Sequence, residues 1–251
     1  MQYKTMMMIF VLMAGLPAGC KRPAEKFFDL GKYFEEQRQF GQAAVEYQKA
    51  LDQDPAWVEA QYRLGRAYRG ANMLEQAEAA FTQTIKLDPQ HADARIDLAE
   101  IYYSQEKLDP ALELARKALE LKPRSISGLM LLGGILLAQE KFSEAAAKFE
   151  QALTQEPKNR EVHYALAFAY FFDPGQDRKL DGLRELRQAE KLGYPVQNAA
   201  ARFDRELQAK GSSLEELKKQ LDAPQPAGET SKSAPEAPKP TPQPAATAPA
   251  H

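Results

Sequence analysis

The residues able to do nucleophilic or metal chemistry are few and badly spaced for it. There is one cysteine, Cys20, and there are three histidines, His91, His163 and His251. A single thiol excludes an intrachain disulfide and a multi-cysteine metal site. The histidines lie too far apart for any metal-ligand spacing. No phosphate-cradling glycine loop and no nucleophile motif is present, and Gly133-Gly134 reads as the small-residue position of a helix. The many carboxylates fall mostly on solvated helix faces. The chain therefore reads as non-enzymatic, with no cofactor and no small-molecule substrate. Charged residues make up 27% and the formal net charge is −2, which gives no support for nucleic-acid binding.

The one thiol does stand in a context with chemistry of its own. Lys4 precedes an apolar run, Met6 to Leu16, which leads through Pro17-Ala18-Gly19 into Cys20. The run is shorter than the roughly 20 residues a spanning helix needs. A positive start, an apolar centre and small residues at the end read as an export signal. The arrangement resembles a bacterial lipoprotein signal. That resemblance implies a signal peptide over 1–19, a diacylglyceryl group on Cys20 and a lipidated N-terminus over 20–23. Ala18 and Gly19 match the pattern. Pro17 departs from it, because the usual leucine stands one place earlier, at Leu16. Lys21 is not the aspartate that retains such lipoproteins at the inner membrane, so the resemblance favours the outer membrane, with the protein facing the periplasm.

What organises the rest of the chain is a 34-residue register. Leu30, Leu64, Leu98, Leu132 and Leu166 repeat at that spacing, followed immediately by Gly31, Gly65, Ala99, Gly133 and Ala167. Phe34, Tyr68, Tyr102, Leu136 and Tyr170 come next, and Pro55, Pro89, Pro123 and Pro157 close the first four units. Each unit contains two apolar stripes at helical spacing. The first carries the leucine; the second carries small residues such as Ala43 and Ala50 around a larger Tyr47. A small residue after the leucine lets paired helices approach. Asp54-Pro55 and Asp88-Pro89 are expected to end one helix and cap the next, and Asp109-Pro110 to begin a second helix.

These columns resemble the tetratricopeptide repeat family, whose helix–turn–helix unit is 34 residues long. The resemblance covers residues 24–195 as repeats 24–57, 58–91, 92–125, 126–159 and 160–195. It implies an all-α fold, a right-handed superhelical solenoid of antiparallel helix pairs. Thr84, in repeat two, stands where alanine is usual; Ala115 stands where an aromatic is usual, so repeat three is expected to be slightly under-packed. Repeat five has a lengthened turn around Phe171-Phe172-Asp173-Pro174-Gly175. Helices over about 197–210 and after Ser213 are expected to cap the stack across 196–222. Residues 223–251 hold eight prolines. That composition cannot bury enough to offset ordering entropy, so a disordered Pro/Ala-rich tail is expected.

The family lines its concave groove with the first helix of each pair. Carrying the register along gives Phe28 in repeat one, then Tyr62, Arg66 and Arg69, then Ile96 and Tyr103. Met130, Gly134 and Leu137 follow in repeat four, and Tyr164, Phe168 and Phe171 in repeat five. The groove thus turns from charged to apolar along its length. The family's carboxylate clamp for chaperone termini is not present at these positions. The expected function is a membrane-anchored scaffold that binds other proteins or peptides during assembly of cell-envelope complexes. The overall form also resembles the repeat lipoproteins that act as pilotins in type IV pilus and secretin assembly. A cytosolic co-chaperone and an accessory subunit of an envelope enzyme or transporter are the alternatives.

Overall fold

The computed structural model describes residues 23–209 and 211–223. The signal segment, Cys20 and the proline-rich tail lie outside the described residues. Within them the chain forms twelve helices and no strand. Five antiparallel pairs follow one another: α1 (Pro23–Glu36) with α2 (Phe40–Gln53), α3 (Val58–Gly70) with α4 (Leu74–Leu87), α5 (Ala92–Ser104) with α6 (Leu108–Leu121), α7 (Ile126–Ala138) with α8 (Phe142–Gln155), and α9 (Arg160–Phe172) with α10 (Lys179–Lys191). Two more helices close the stack, α11 (Gln197–Ala209) and α12 (Leu214–Asp222). None of the helices in the described residues is long and apolar enough to cross a membrane.

The buried side chains fall into four clusters that straddle successive repeats. This follows from short helix pairs, none of which can bury both its faces alone. Within each pair one contact sets the geometry. A Cβ built on Gly31 would lie 2.6 Å from the Tyr47 ring, on Gly65 2.7 Å from Phe81, and on Gly133 2.4 Å from Phe149. The small residue makes room for an aromatic ring from the second helix, and those three rings are essentially inaccessible to water. In repeat three both partners change together: Ala99 faces a pair whose ring position is Ala115, and both are fully buried. The two alanines substitute for a notch and its ring as a unit. Gly70 plays a similar part for Phe40 across a repeat junction, at 2.6 Å.

The turns are equally regular. Arg38, Asn72, Glu106 and Glu140 have φ between 57° and 60°, in the left-handed region. Each follows the first helix of its pair, and its own amide and the next one fold back onto that helix. Asn72 N donates to Arg69 O at 3.0 Å and Met73 N to Tyr68 O at 2.9 Å. Only Asn72 is of a type that tolerates this conformation well. In repeat five the connection runs over six residues, 173–178, instead of three. The insertion is held at both ends, by Gly175 N donating to Asp173 Oδ1 at 2.9 Å and by the Arg178 guanidinium 3.5 Å above the Tyr170 ring.

Two expectations from the sequence are corrected here. The aspartates before proline do not cap the next helix. Asp54 and Asp88 end α2 and α4, and Pro55 sits inside a turn closed by Trp57 N donating to Asp54 O at 3.1 Å. At three of the four junctions the side-chain N-cap is the residue two after the proline: His91, Ser125 and Asn159 accept from the amides of Ala94, Gly128 and Val162, whereas Trp57 makes no side-chain cap. The leucine column is not buried throughout. Leu64, Leu98, Leu132 and Leu166 are at most 4% exposed, whereas Leu30 is 41% exposed because no repeat precedes it among the described residues.

The ring-and-notch contact makes a sharp prediction. Gly133→Ala should cost about 1–3 kcal/mol by overpacking, and Phe149→Ala about 3–5 kcal/mol by leaving a cavity. The double variant recreates the pair found in repeat three, so its loss in denaturant titration should fall well short of the sum of the single losses. Strict additivity would show that the ring does not rest in the glycine notch.

Candidate functional site

The face opposite the buried leucines lines a groove along α1, α3, α5, α7 and α9. Its floor is not uniform. At the N-terminal end the charges neutralise one another. Arg63 bridges Glu35 at 3.1 Å and Glu59 at 2.6 Å, and Arg66 approaches Glu35 at 3.5 Å. Tyr47 O–H donates to the same Glu35 carboxylate at 2.7 Å. Arg69 pairs with Asp97 at 2.9 Å and also with Glu100. Both groove arginines are thus paired. Their acidic partners come from neighbouring repeats, about 30 residues away, beyond the reach of spacing within one helix.

Arg63 and Asp97 are groove residues that the sequence reading missed. They occupy the same place in successive repeats, directly before the leucine, and the register would have found them had that column been included. Asp97 is only 8% exposed, and its Oδ2 has no hydrogen-bond partner. Burial pushes its carboxyl above the usual aspartate range, outweighing the opposing pull of Arg69 and of the Tyr62 hydroxyl.

Several aromatic positions serve local packing. Phe28 stacks on Trp57 at 4.4 Å, Tyr62 lies 4.6 Å from His91, and Tyr164 lies 4.5 Å from Tyr194. In each case the partner stands at or near the next helix junction. Ile96 and Phe171, expected on the open face, are buried at 3% and 2% exposure. Ile96 belongs to the cluster shared by repeats three to five. Phe171 is covered by α11, whose Phe203 stacks on it at 3.8 Å with the rings 5° from parallel. Phe203 also meets Phe168 at 5.1 Å and Phe172 at 5.6 Å, while Arg202 sits 4.9 Å above Phe172. The aromatic end of the groove is therefore filled by the chain itself.

What stays open is the middle. α7 reads ISGLMLLGGILLA and has no charged residue. Its Leu129, Leu132, Ile135 and Leu136 are buried. Met130, Gly134, Leu137 and Ala138 form a second apolar stripe that is half-buried to exposed. Gly134 differs in kind from its neighbour Gly133: a Cβ there would meet nothing nearer than the Tyr103 hydroxyl at 3.7 Å. The fold does not need a glycine at this point: a Cβ would rest in ordinary contact with the Tyr103 side chain, 3.7–4.0 Å away. Tyr103, 37% exposed, lies over the position and donates its hydroxyl proton to Gly134 O at 3.4 Å.

Among the described residues no group of three or more histidine, cysteine, aspartate or glutamate side chains is placed to hold a metal ion. His163 is tied between Glu185 at 2.6 Å and Pro157 O at 3.0 Å, which joins the two helices of repeat five to the preceding turn.

A stack of helix pairs with a concave groove and no assembled catalytic centre among the described residues defines a helical-repeat scaffold, an architecture for binding proteins. Family models described as tetratricopeptide repeat match residues 62–126, and 35–85 with 136–172, together more than half of the chain. The chain belongs to the tetratricopeptide repeat family. Among solved structures it is similar to a MamA protein, at 18% identity and a TM-score of 0.60 over 67% of this chain and 91% of that one. It is similar also to residues 41 to the end of MamA from Desulfovibrio magneticus RS-1, at 16% identity and a TM-score of 0.61 over 67% and 94%. YrrB, described as a TPR protein with an unusual peptide-binding site, aligns at 20% identity and a TM-score of 0.56 over 66% and 84%. At these identities the likeness speaks for the fold alone. No curated protein sequence matches the chain.

The Arg69 pairing has a pH signature. Because burial raises the Asp97 carboxyl in the folded state, its contribution to stability is greatest below the unfolded value of 3.8 and is lost as pH rises through the folded value. Removing the guanidinium raises the folded value further and enlarges that loss. Arg69→Met should therefore be clearly less stable than wild type near neutral pH, with the gap narrowing toward pH 4. Thermal melts across that range check it; a gap independent of pH would mean that Asp97 is not what Arg69 holds.

Proposed function

We propose that this chain is a non-enzymatic, membrane-anchored adaptor whose central groove takes an apolar segment of another protein of the cell envelope. The observation that carries the binding half is the half-buried apolar stripe Met130–Gly134–Leu137 on an uncharged helix, with the exposed Tyr103 ring beside it over Gly134. Exposed apolar strips bounded by polar surface mark contact sites. Its spacing suits the apolar face of an amphipathic helix. YrrB, a repeat stack of this fold described with a peptide-binding site, supports a peptide as the ligand class. The arginines available to clamp a terminal carboxylate are already paired with Glu35, Asp97 and Glu100. That weakens the co-chaperone alternative. The pilotin-like reading draws on the lipoprotein-like start followed by repeats, and is the particular assembly role that form favours.

A photo-crosslinking residue at Leu137 should capture a defined partner from intact membranes. One at Glu113, exposed on the second helix of repeat three, should not. Met130→Glu, with Leu137 carrying the crosslinker, should abolish that product without lowering the melting temperature. Identical products from both positions would overturn the groove assignment.

The anchoring half rests on Ala18-Gly19-Cys20 after an apolar run. Wild type grown with a clickable fatty acid should incorporate label and fractionate with membranes. Cys20→Ala should do neither. An unlabelled, soluble wild type would overturn the anchor.

A further inference from the structure

The first repeat presents to water a face that every later repeat buries. The positions equivalent to Lys26 are Ala60, Ala94, Gly128 and Val162, all buried. Those equivalent to Leu30 are the buried leucines already described. Those equivalent to Tyr33 are Ala67, Ile101, Ile135 and Ala169, at most 2% exposed. In α1 the same stripe carries Lys26, a Leu30 that is 41% exposed and a Tyr33 that is 55% exposed.

The residue types indicate what covers it. Another repeat stacking there would need small or aliphatic residues at the outer two positions, as everywhere else in the solenoid. A lysine and a full-sized tyrosine obstruct that packing. A lysine, a leucine and a tyrosine on one stripe instead suit a membrane interface, where lysine extends its ammonium to the headgroups and tyrosine sits with its ring at headgroup level. Two of the carboxylates of α1 have basic partners: Glu35 is held by Arg63 and Arg66 on the groove side, and Asp29 lies 3.8 Å from Lys32. In the sequence only Lys21 and Arg22 separate Cys20 from Pro23. Three residue steps span about 10 Å at most, so a lipid on Cys20 would hold the start of α1 within that distance of the bilayer.

We infer that the exposed stripe Lys26–Leu30–Tyr33 is a lipid-docking face, by which the N-terminal end of the solenoid rests on the membrane that carries its anchor. The inference rests on the proposed acylation of Cys20. It makes the anchor more than a tether: the stack is held end-on, with the groove and the C-terminal cap projecting away from the lipid.

The test uses the full-length protein purified from membranes of an expressing bacterium and placed in phosphatidylethanolamine–phosphatidylglycerol vesicles. Acylation consumes the only native thiol, so Tyr33→Cys and Ser212→Cys each offer a single site for an environment-sensitive fluorophore. Both residues are exposed and neither packs in the core. With brominated lipid, the label at position 33 should shift to the blue and lose fluorescence, while the label at 212 should be unchanged. Mass analysis of the N-terminal peptide is read alongside. If that peptide carries the diacylglyceryl group and position 33 is not quenched, the docking face is wrong and the anchor stands. If the peptide is unmodified, the anchor reading fails and the docking inference falls with it. Concentration-dependent self-quenching at position 33 would assign the face to a second copy and overturn the inference.

Discussion

Everything in this molecule depends on how closely the two helices of one repeat can pack. The limiting contact is a small residue against an aromatic ring: Gly31 with Tyr47, Gly65 with Phe81, Gly133 with Phe149. The ring is a large apolar surface and contributes a substantial share of the pair's burial, about 1.5–3 kcal/mol for a fully buried side chain. It can lie there only because the facing position has no Cβ. Repeat three has alanine on both sides instead. One methyl gained at the notch does not replace the six ring carbons lost opposite it, so what repeat three keeps is a small residue facing a fully buried position, without the ring. With that distance set, the leucine just before the small residue must point toward the neighbouring repeat, and the opposite face of the helix must form the groove.

This is why the periodic columns were so informative and why they misled in specific places. The leucine register located all five helix pairs, because alternating stripes leave little freedom in where a helix starts. Ser213 and Glu216 marked the start of the last closing helix in the same local way, and the Ser213 hydroxyl does accept from the Glu216 amide. The register did not reveal what a stripe meets. Leu30 carries the same letter as Leu64, yet only one of them has a preceding repeat to bury it. Ile96 and Phe171 stand at groove positions, yet one is drawn into the central cluster and the other is covered by Phe203. Phe203 takes the leucine position of a further helix, with Ala199 and Leu207 on the same buried stripe, but the three-residue insertion in repeat five shifts the register, so a strict count of 34 from Leu166 lands on Ala200 instead.

The caps show the same limit on a smaller scale. Asp-Pro is a strong boundary signal, and a boundary does occur there. Yet the amide-satisfying side chains are His91, Ser125 and Asn159, two residues further along. Proline takes the second position of a tight turn, where its fixed φ fits, and the helix begins only when that turn is complete. Charge was harder still. A salt bridge such as Arg69 with Asp97 joins residues from different repeats, and its existence depends on the stacking distance, which spacing within one helix does not contain.

These contacts together narrow what the groove can hold. Its first half is lined by charges that satisfy one another, so an acidic or basic ligand there would have to break existing pairs and would gain little. Its last part is closed by the ring of Phe203 and the guanidinium of Arg202 over repeat five. Between them lies the floor of α5 and α7, from Tyr103 to Leu137, half-buried and largely apolar, with the Tyr103 ring over Gly134. Met130 and Leu137 stand seven residues apart, about two turns of α7, so the apolar floor matches about two turns of an amphipathic helix laid along it. The affinity of so short a contact depends on one well-seated side chain, and the exposed Tyr103 ring is the surface it would have to meet.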